Sequence, residues 1–205
     1  TILKAALHSG VRLQAGAQLL PALRLEAHAA LACLTARLDV GEGAGLQPLQ
    51  RALDDGFRLT QQRVLLLLRL AYDARAMTRV GELLAQAPGA QQALALELLE
   101  VSLLPEHRAA ALPILNPQLS LAQRCEQLRR QADVRPIGQM ARLQALLRDP
   151  DDYWRQAWLR AGAAYAVGQL GLRELAAELA RLRDDPDPVV RETAVWGLEQ
   201  CAVSS

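Results

Sequence analysis

The chain has 205 residues, of which 51% are hydrophobic but only 3% aromatic, and its formal net charge at pH 7 is +1. Its apolar residues are therefore mostly Leu and Ala, both strong helix formers. Since 23 basic residues are balanced by 22 acidic ones, no strongly basic surface is expected, which argues against nucleic acid as the main partner. We predict an all-α protein, because no series of Val, Ile and Thr runs bounded by turn residues supports strands.

The three cysteines, Cys33, Cys125 and Cys201, lie far apart, and each falls in an apolar helical pattern. Their spacing provides no metal site, so we predict buried, reduced thiols and no metal or other cofactor. A reducing compartment is expected, which for this chain means the cytoplasm. The sequence contains no run of 18 apolar residues, so it predicts no membrane-spanning helix. The first residue is Thr1 rather than Met, and no signal-peptide layout follows. We therefore expect the chain to be a piece of a longer protein.

The spacing of apolar residues and the positions of helix-ending residues predict helices joined by short connectors along the whole chain. An N-terminal helix over about 2–20 is expected to end at Pro21, and a second helix spans about 22–38. The glycines between Gly41 and Gly45 then break the chain. Further helices are predicted at about 48–71, 74–86, 90–103 and 105–115.

A capping box predicts that the next helix begins at Ser120 or Leu121. The Ser120 hydroxyl can accept a hydrogen bond from the amide of Gln123, whose side chain reaches back to the Ser120 amide. This helix is expected to end near residue 131. The final helix has Asp187 as its N-cap and Pro188 at its first helical position. The helices after residue 131 are predicted at about 136–148, 153–170, 173–183 and 188–203.

The final helix repeats a pattern found 31 residues earlier in the chain. Both helices carry small and aliphatic residues at the spacing of one helix face. A helix pair with one apolar face cannot bury that face alone, whereas stacked pairs bury a continuous core. The pattern therefore predicts an α-solenoid. The paired positions are Leu159, Ala163, Ala166, Val167 and Leu170 in the earlier helix, and Val190, Ala194, Gly197, Leu198 and Cys201 in the final one.

The motif over 185–191, Asp-Pro-Asp-Pro-Val-Val-Arg, resembles the HEAT repeat family, and Leu159-Arg160 with its following small residues resembles a second copy. The resemblance implies a right-handed solenoid of antiparallel helix pairs, with about ten to twelve helices. It is clearest over 152–205 and degenerate from residue 89, and residues 1–88 form a helical segment without the signature. We expect one continuous solenoid. In HEAT-like families a ladder of Arg and Asp side chains joins neighbouring repeats. The resemblance therefore implies a structural role in such a ladder for Asp151, Arg160, Asp187 and Arg191.

The order of segments also resembles the soluble helical region appended to bacterial transporters similar to nucleotide translocases or the major facilitator superfamily. The resembling segments are 93–104, 111–115 and 190–196. This resemblance implies a module of a larger membrane transporter, on the cytoplasmic face of the membrane. No transport residue is carried over, because none of the resembling segments is a transmembrane helix.

Five residues are inserted around 152–157 relative to the final copy, and they bring aromatic side chains with them. Trp154 and Trp158 are predicted to be neighbours on one face of a helix. If exposed, they would anchor a protein partner, since Trp, Tyr and Arg dominate interface hot spots. If buried, they would be part of the core. Both interpretations remain open, and the candidate partner-binding residues are Tyr153, Trp154, Arg155 and Trp158.

An arginine-rich segment follows the capping box, with Arg124, Arg129, Arg130 and Arg135 against two acidic residues. Such a segment could meet an acidic partner or an anionic lipid surface, or it could be a solvated helix face. The solvated face is the favoured interpretation.

No nucleophile elbow, glycine-rich phosphate loop, His-Glu-x-x-His or paired-cysteine motif is present. We therefore predict a non-enzymatic scaffold that mediates protein–protein interaction or regulation, with no catalytic, cofactor-binding or metal-binding residue. Two alternatives stay open: a HEAT-like enzyme of the DNA glycosylase type that binds nucleic acid, and a purely structural spacer domain.

Overall fold

A computed structural model describes residues 18–86, 88–149, 154 and 156–203. Over these residues the chain forms ten α-helices and no strand, which confirms the predicted all-α class. Two short 3-10 turns, Arg173–Leu175 and Leu182–Asp184, flank the ninth helix. The helices are α1 (Leu19–Val40), α2 (Gln47–Ala71), α3 (Ala74–Leu84), α4 (Ala90–Ser102), α5 (Pro105–Leu115), α6 (Leu121–Leu128), α7 (Gln139–Arg148), α8 (Ala157–Leu170), α9 (Ala176–Arg181) and α10 (Pro188–Val203).

Local signals place several helix ends correctly. Helices α5 and α10 begin at Pro105 and Pro188 as predicted, because a proline at the first helical position loses no hydrogen bond. The capping box of α6 is present: the Ser120 hydroxyl accepts from the Gln123 amide at 3.3 Å, and the Gln123 side chain accepts from the Ser120 amide at 2.9 Å. The predicted break at Pro21 is wrong. This residue lies in the first turn of α1, where its missing amide hydrogen is also not needed.

Three predicted helices begin later or are divided. Helix α7 starts at Gln139 rather than Pro136, α8 starts at Ala157 rather than residue 153, and the predicted helix over 173–183 is broken into two 3-10 turns around a short α-helix. The part of the predicted N-terminal helix up to residue 17 lies outside the described residues.

A buried carboxylate explains the late start of α7. Asp39, near the end of α1, accepts hydrogen bonds from the backbone amides of Ile137 at 3.2 Å and Gly138 at 3.1 Å. It also pairs with Arg142 of α7, whose Nη2 lies 2.9 Å from Oδ2. These contacts hold the segment before Gln139 extended, and Gly138 takes a φ of +81°, which glycine adopts without strain.

The chain divides into two compact units. Among the described residues, the first unit comprises those within 18–34 and 56–134, and the second comprises those within 35–55 and 135–203. The two units are defined by contacts between residues. Their limits differ from the boundary after residue 88 that the repeat signature suggests. The single continuous solenoid expected from the sequence stays a prediction.

The first unit encloses a core of aliphatic side chains from α1 to α6. Arg124 is buried beside this core, where its Nη1 donates to the carbonyl oxygens of Pro113 at 2.9 Å and Ile114 at 2.8 Å, at the end of α5. Its guanidinium also lies 5.0 Å from the centroid of the Phe57 ring. The partial negative charge of a helix C-terminus suits a cation, and burial lowers the pKa of Arg124. Arg124 is therefore not part of a surface for an acidic partner or a lipid. The fully buried residues of this core include Leu23, Leu31, Val64, Leu68, Leu99, Ile114 and Leu128.

The second unit is built on the packing of α8 against α10. The predicted apolar faces of these two helices meet, and most of their residues are buried; the exceptions are Leu198, which is half-buried, and Leu170, which is 37% exposed. A Cβ atom on Gly168 would lie 2.8 Å from the Cα of Gly197, so the two backbones approach too closely for any larger residue at this point. All three cysteines are buried, as predicted.

Helix α1 is long and apolar enough to cross a membrane, the one such helix among the described residues. Its most apolar window of 18 residues has a mean hydropathy of 1.3, and 56% of that window is buried within the structure. Core helices of water-soluble proteins and signal sequences near an N-terminus meet the same criteria of length and composition.

Candidate functional site

An apolar pocket in the second unit lies beside the most exposed tryptophan of the predicted aromatic cluster. Trp158, in the first turn of α8, is 62% exposed. The pocket has a volume of about 160 Å³, and none of the described residues that line it is charged. We call it the Trp158 pocket; its lining residues are Pro48, Trp158, Ala161, Gly162, Tyr165, Val189 and Thr193.

A close contact between α2 and α8 provides one wall of the Trp158 pocket. A Cβ atom on Gly162 would lie 3.1 Å from the Cα of Leu49, so the backbone of α2 packs almost directly on this glycine. Pro48, the residue before Leu49, thereby comes to line the pocket together with Trp158. A larger residue at position 162 would push this wall away.

The opposite wall combines a stacked aromatic pair with the start of α10. The rings of Tyr165 and Trp196 are parallel to within 14°, with centroids 5.0 Å apart, which fixes the Tyr165 ring against α10. On α10 the Thr193 hydroxyl donates to the carbonyl oxygen of Val189 at 2.6 Å. This hydroxyl proton is therefore already bonded within its own helix.

The two tryptophans of the predicted pair have different environments. Trp154 precedes α8, is half-buried and packs against the core of the second unit. Trp158 lies on the helix and is largely exposed. The prediction that both occupy one helix face is therefore wrong, because α8 begins only at Ala157. Tyr153 and Arg155 lie outside the described residues.

The charged pairs near α8 differ in detail from the predicted ladder. Arg160 donates from Nε to Oδ2 of Asp185 at 2.9 Å, and its Nη1 lies 4.0 Å from Oδ2 of Asp149. Asp187 is not the partner of Arg160, because its carboxylate caps α10 by accepting from the amide of Val189 at 2.9 Å.

Arg191, the second arginine of the predicted ladder, binds backbone rather than a carboxylate. Its Nη1 donates to the carbonyl oxygens of Asp185 at 2.8 Å and Pro186 at 2.9 Å. Asp151 lies outside the described residues. Asp185, which was not among the predicted ladder residues, thus connects both arginines, and the predicted ladder of Asp151, Arg160, Asp187 and Arg191 stays a prediction.

Within the described part of the chain, no group of three or more His, Cys, Asp or Glu side chains is placed to hold a metal ion. Burial raises the pKa of the Cys201 thiol, and likewise that of Cys125, which disfavours the reactive thiolate form. The described residues that line the Trp158 pocket are uncharged, and their hydroxyl groups are those of Tyr165 and Thr193.

Neither family models, curated proteins nor solved structures yielded a match to this chain.

Proposed function

We propose that this protein is a non-enzymatic interaction scaffold and that the Trp158 pocket receives an apolar side chain of a protein partner. The observation that carries the proposal is the exposure of Trp158, 62%, beside an uncharged pocket. Large exposed apolar groups next to a concavity mark interaction sites, and tryptophan is the residue most enriched among interface hot spots.

The size of the pocket supports a side chain as its occupant. Small-molecule sites usually enclose about 300 to 1,000 Å³, whereas this pocket has a volume of about 160 Å³. Burying one Leu, Ile or Phe side chain contributes about 1.5 to 3 kcal/mol. An anchor of this kind would contribute part of the binding free energy, and contacts of the partner with the exposed Trp158 ring would add to it.

The proposal also includes how the helices are arranged. We place the chain among right-handed HEAT-type solenoids, because the Asp-Pro-Asp-Pro-Val-Val-Arg motif resembles that family and because the apolar faces of α8 and α10 pack together. A role as the cytoplasmic module of a membrane transporter rests on the resemblance alone. Its test is the coding sequence before Thr1, which should then encode about twelve apolar spans of roughly 20 residues each.

Photo-crosslinking tests the interaction at the pocket. A photoreactive phenylalanine analogue in place of Trp158 should capture a partner in cells, whose identity mass spectrometry then provides. The purified partner is next titrated with the natural chain and with Trp158→Ser. We expect about 30-fold weaker binding for the variant, which corresponds to the loss of about 2 kcal/mol of a hot-spot side chain.

Val101→Ser is the matched control, because Val101 is 88% exposed and lies in the first unit. Both variants should keep the melting temperature of the natural chain, since exposed side chains contribute little to folding. Equal affinities of the two variants for the partner would show that the pocket is not the interface.

Nucleic-acid binding separates the main alternative from this proposal. A HEAT-like enzyme of the glycosylase type should bind DNA at about 50 mM salt with a steep dependence on salt concentration. A purely structural spacer should bind neither DNA nor a captured partner.

A further inference from the structure

An open groove of about 890 Å³ lies on the surface of the first unit. Its floor is one face of α5, with Pro105, Ala109, Leu112 and Pro113 at positions i, i+4, i+7 and i+8. The first turns of α1, the end of α4, and the end of α6 with the residues just after it complete the lining. The groove is thus an apolar floor between two helix ends, and it shares no residue with the Trp158 pocket.

The size of the groove matches a short helix. An α-helix about 10 Å across rises 1.5 Å per residue, so it occupies roughly 120 Å³ per residue. A groove of about 890 Å³ therefore accommodates about seven residues, or two turns. Two turns suffice to place an apolar stripe on the floor formed by α5.

Three arginines line the groove: Arg24, Arg108 and Arg130. Arg108 donates from Nη1 to the carbonyl oxygen of Glu100 at 2.9 Å, which anchors its guanidinium. Within the described part of the chain, the side chains of Arg24 and Arg130 form neither a hydrogen bond nor an ion pair. These two guanidiniums are available to carboxylates, which arginine binds through two parallel hydrogen bonds.

Two glutamates also line the groove, and both lie at the end where α5 begins. Glu106 is in the first turn of α5 and Glu100 is near the end of α4. Acidic groups of an occupant would be repelled at this end. An acidic occupant is therefore expected to place its carboxylates away from the N-terminus of α5.

We propose that this groove binds a short amphipathic helix of a protein partner, with its apolar stripe on α5 and its acidic side chains paired with Arg24 and Arg130. The charge of the groove selects an acidic helix over a basic one. The N-terminal residues 1–17 of this chain, which include Lys4 and Arg12 but no Asp or Glu, would meet like charges there. The surface is independent of the proposed interaction at Trp158, because the two lie in different units.

A displayed library of random 14-residue peptides, selected on the full chain, tests the proposal. Selected peptides are then measured by fluorescence polarisation against the natural chain and against Arg24→Glu/Arg130→Glu. We expect selected peptides to be rich in Asp and Glu, with apolar residues three and four positions apart. Their affinity should fall by about tenfold or more in the double variant and also weaken between about 50 and 500 mM salt.

Arg75→Glu/Arg181→Glu is the matched control, because both arginines are exposed, lie outside the groove and undergo the same change of charge. This control should change the affinity by less than about threefold. A library that yields no binder, or binders without acidic residues, would overturn the proposal. So would peptides that bind both double variants equally.

Two further probes distinguish other occupants of the groove. Vesicles that contain phosphatidylserine should not sediment the natural chain more than the Arg24→Glu/Arg130→Glu variant; a difference would assign the groove to an anionic lipid surface instead. A synthetic peptide of residues 1–17 should not displace the selected peptides. Displacement would assign the groove to the chain's own N-terminal segment.

Discussion

Replacing Asp39 with alanine tests how strongly one buried carboxylate stabilises the second unit. The Asp39 side chain is 4% exposed and that of Arg142 is 9% exposed, with 2.9 Å between Nη2 and Oδ2. The same carboxylate accepts from the amides of Ile137 and Gly138 before α7. Asp39→Ala therefore removes the partner of a buried cation and two hydrogen bonds at the start of a helix.

The expected loss follows from these contacts. Breaking a buried ion pair by removing one partner costs about 3 to 5 kcal/mol, and losing the hydrogen bonds that Asp39 accepts from two backbone amides costs about 1 kcal/mol each. Because the two effects share one carboxylate, we expect a total near 3 to 5 kcal/mol. Arg142→Met should cost less, about 1.5 to 3 kcal/mol, since Asp39 keeps its two amide donors. The double variant should be more stable than Asp39→Ala, because no unpaired cation remains.

Urea denaturation followed by circular dichroism measures these differences in the free energy of unfolding. Amide hydrogen exchange at Ile137 and Gly138 reports directly on their hydrogen bonds to Asp39. Exchange at these amides should accelerate in Asp39→Ala and stay nearly unchanged in Arg142→Met. The control is Asp184→Ala, an exposed acid of the second unit, which should change stability by less than about 0.5 kcal/mol. A loss below about 1 kcal/mol in Asp39→Ala would refute the reasoning, as would additive effects of the two substitutions.

Two further predictions concern packing and pH. Gly168→Ala should lose about 1 to 3 kcal/mol of stability, because its Cβ would lie 2.8 Å from the Cα of Gly197. Gly81→Ala, with its nearest atom at 3.7 Å, should gain up to about 1 kcal/mol; equal effects in urea denaturation would contradict the close approach. Hydrogen bonds from Gln144 and from an arginine of α7 lower the pKa of Glu178, so its stabilisation is complete above its unfolded pKa, about 4.3, and is lost as pH falls through the folded pKa. Glu178→Gln should therefore differ from the natural chain at pH 7 and much less near pH 3, and a constant difference would exclude this linkage.

Features encoded by neighbouring residues could be predicted from the sequence. The starts of α5 and α10 depend on a proline at the first helical position, and the capping box depends on residues three apart. The late start of α7 could not be predicted in this way. Pro136 is a suitable first helical residue, but the amide of Ile137 binds Asp39, 98 residues earlier in the chain. A long-range hydrogen bond outweighs the local signal there.

The candidate site shows the same division between local and distant information. The cluster of aromatic residues was visible in the sequence, yet one pattern contained both a half-buried Trp154 and an exposed Trp158. The wall at Pro48 comes from a distant segment and carries no signal of its own. Asp185 binds Arg160 while Asp187 caps α10, and the sequence of this turn does not reveal which of its acids takes which role.

The close packing of α8 also explains why its large side chains line a pocket. Gly162 brings the backbone of α2 near α8, and Gly168 does the same for α10. The ring of Trp196 also packs against Gly168, since its Cζ3 would lie 2.8 Å from a Cβ at that position. Trp158 lies in the first turn of α8, outside these close contacts, and borders the pocket together with Tyr165. The glycines thus bring α2, α10 and one tryptophan ring close to α8, whereas Trp158 stays 62% exposed at the start of the helix.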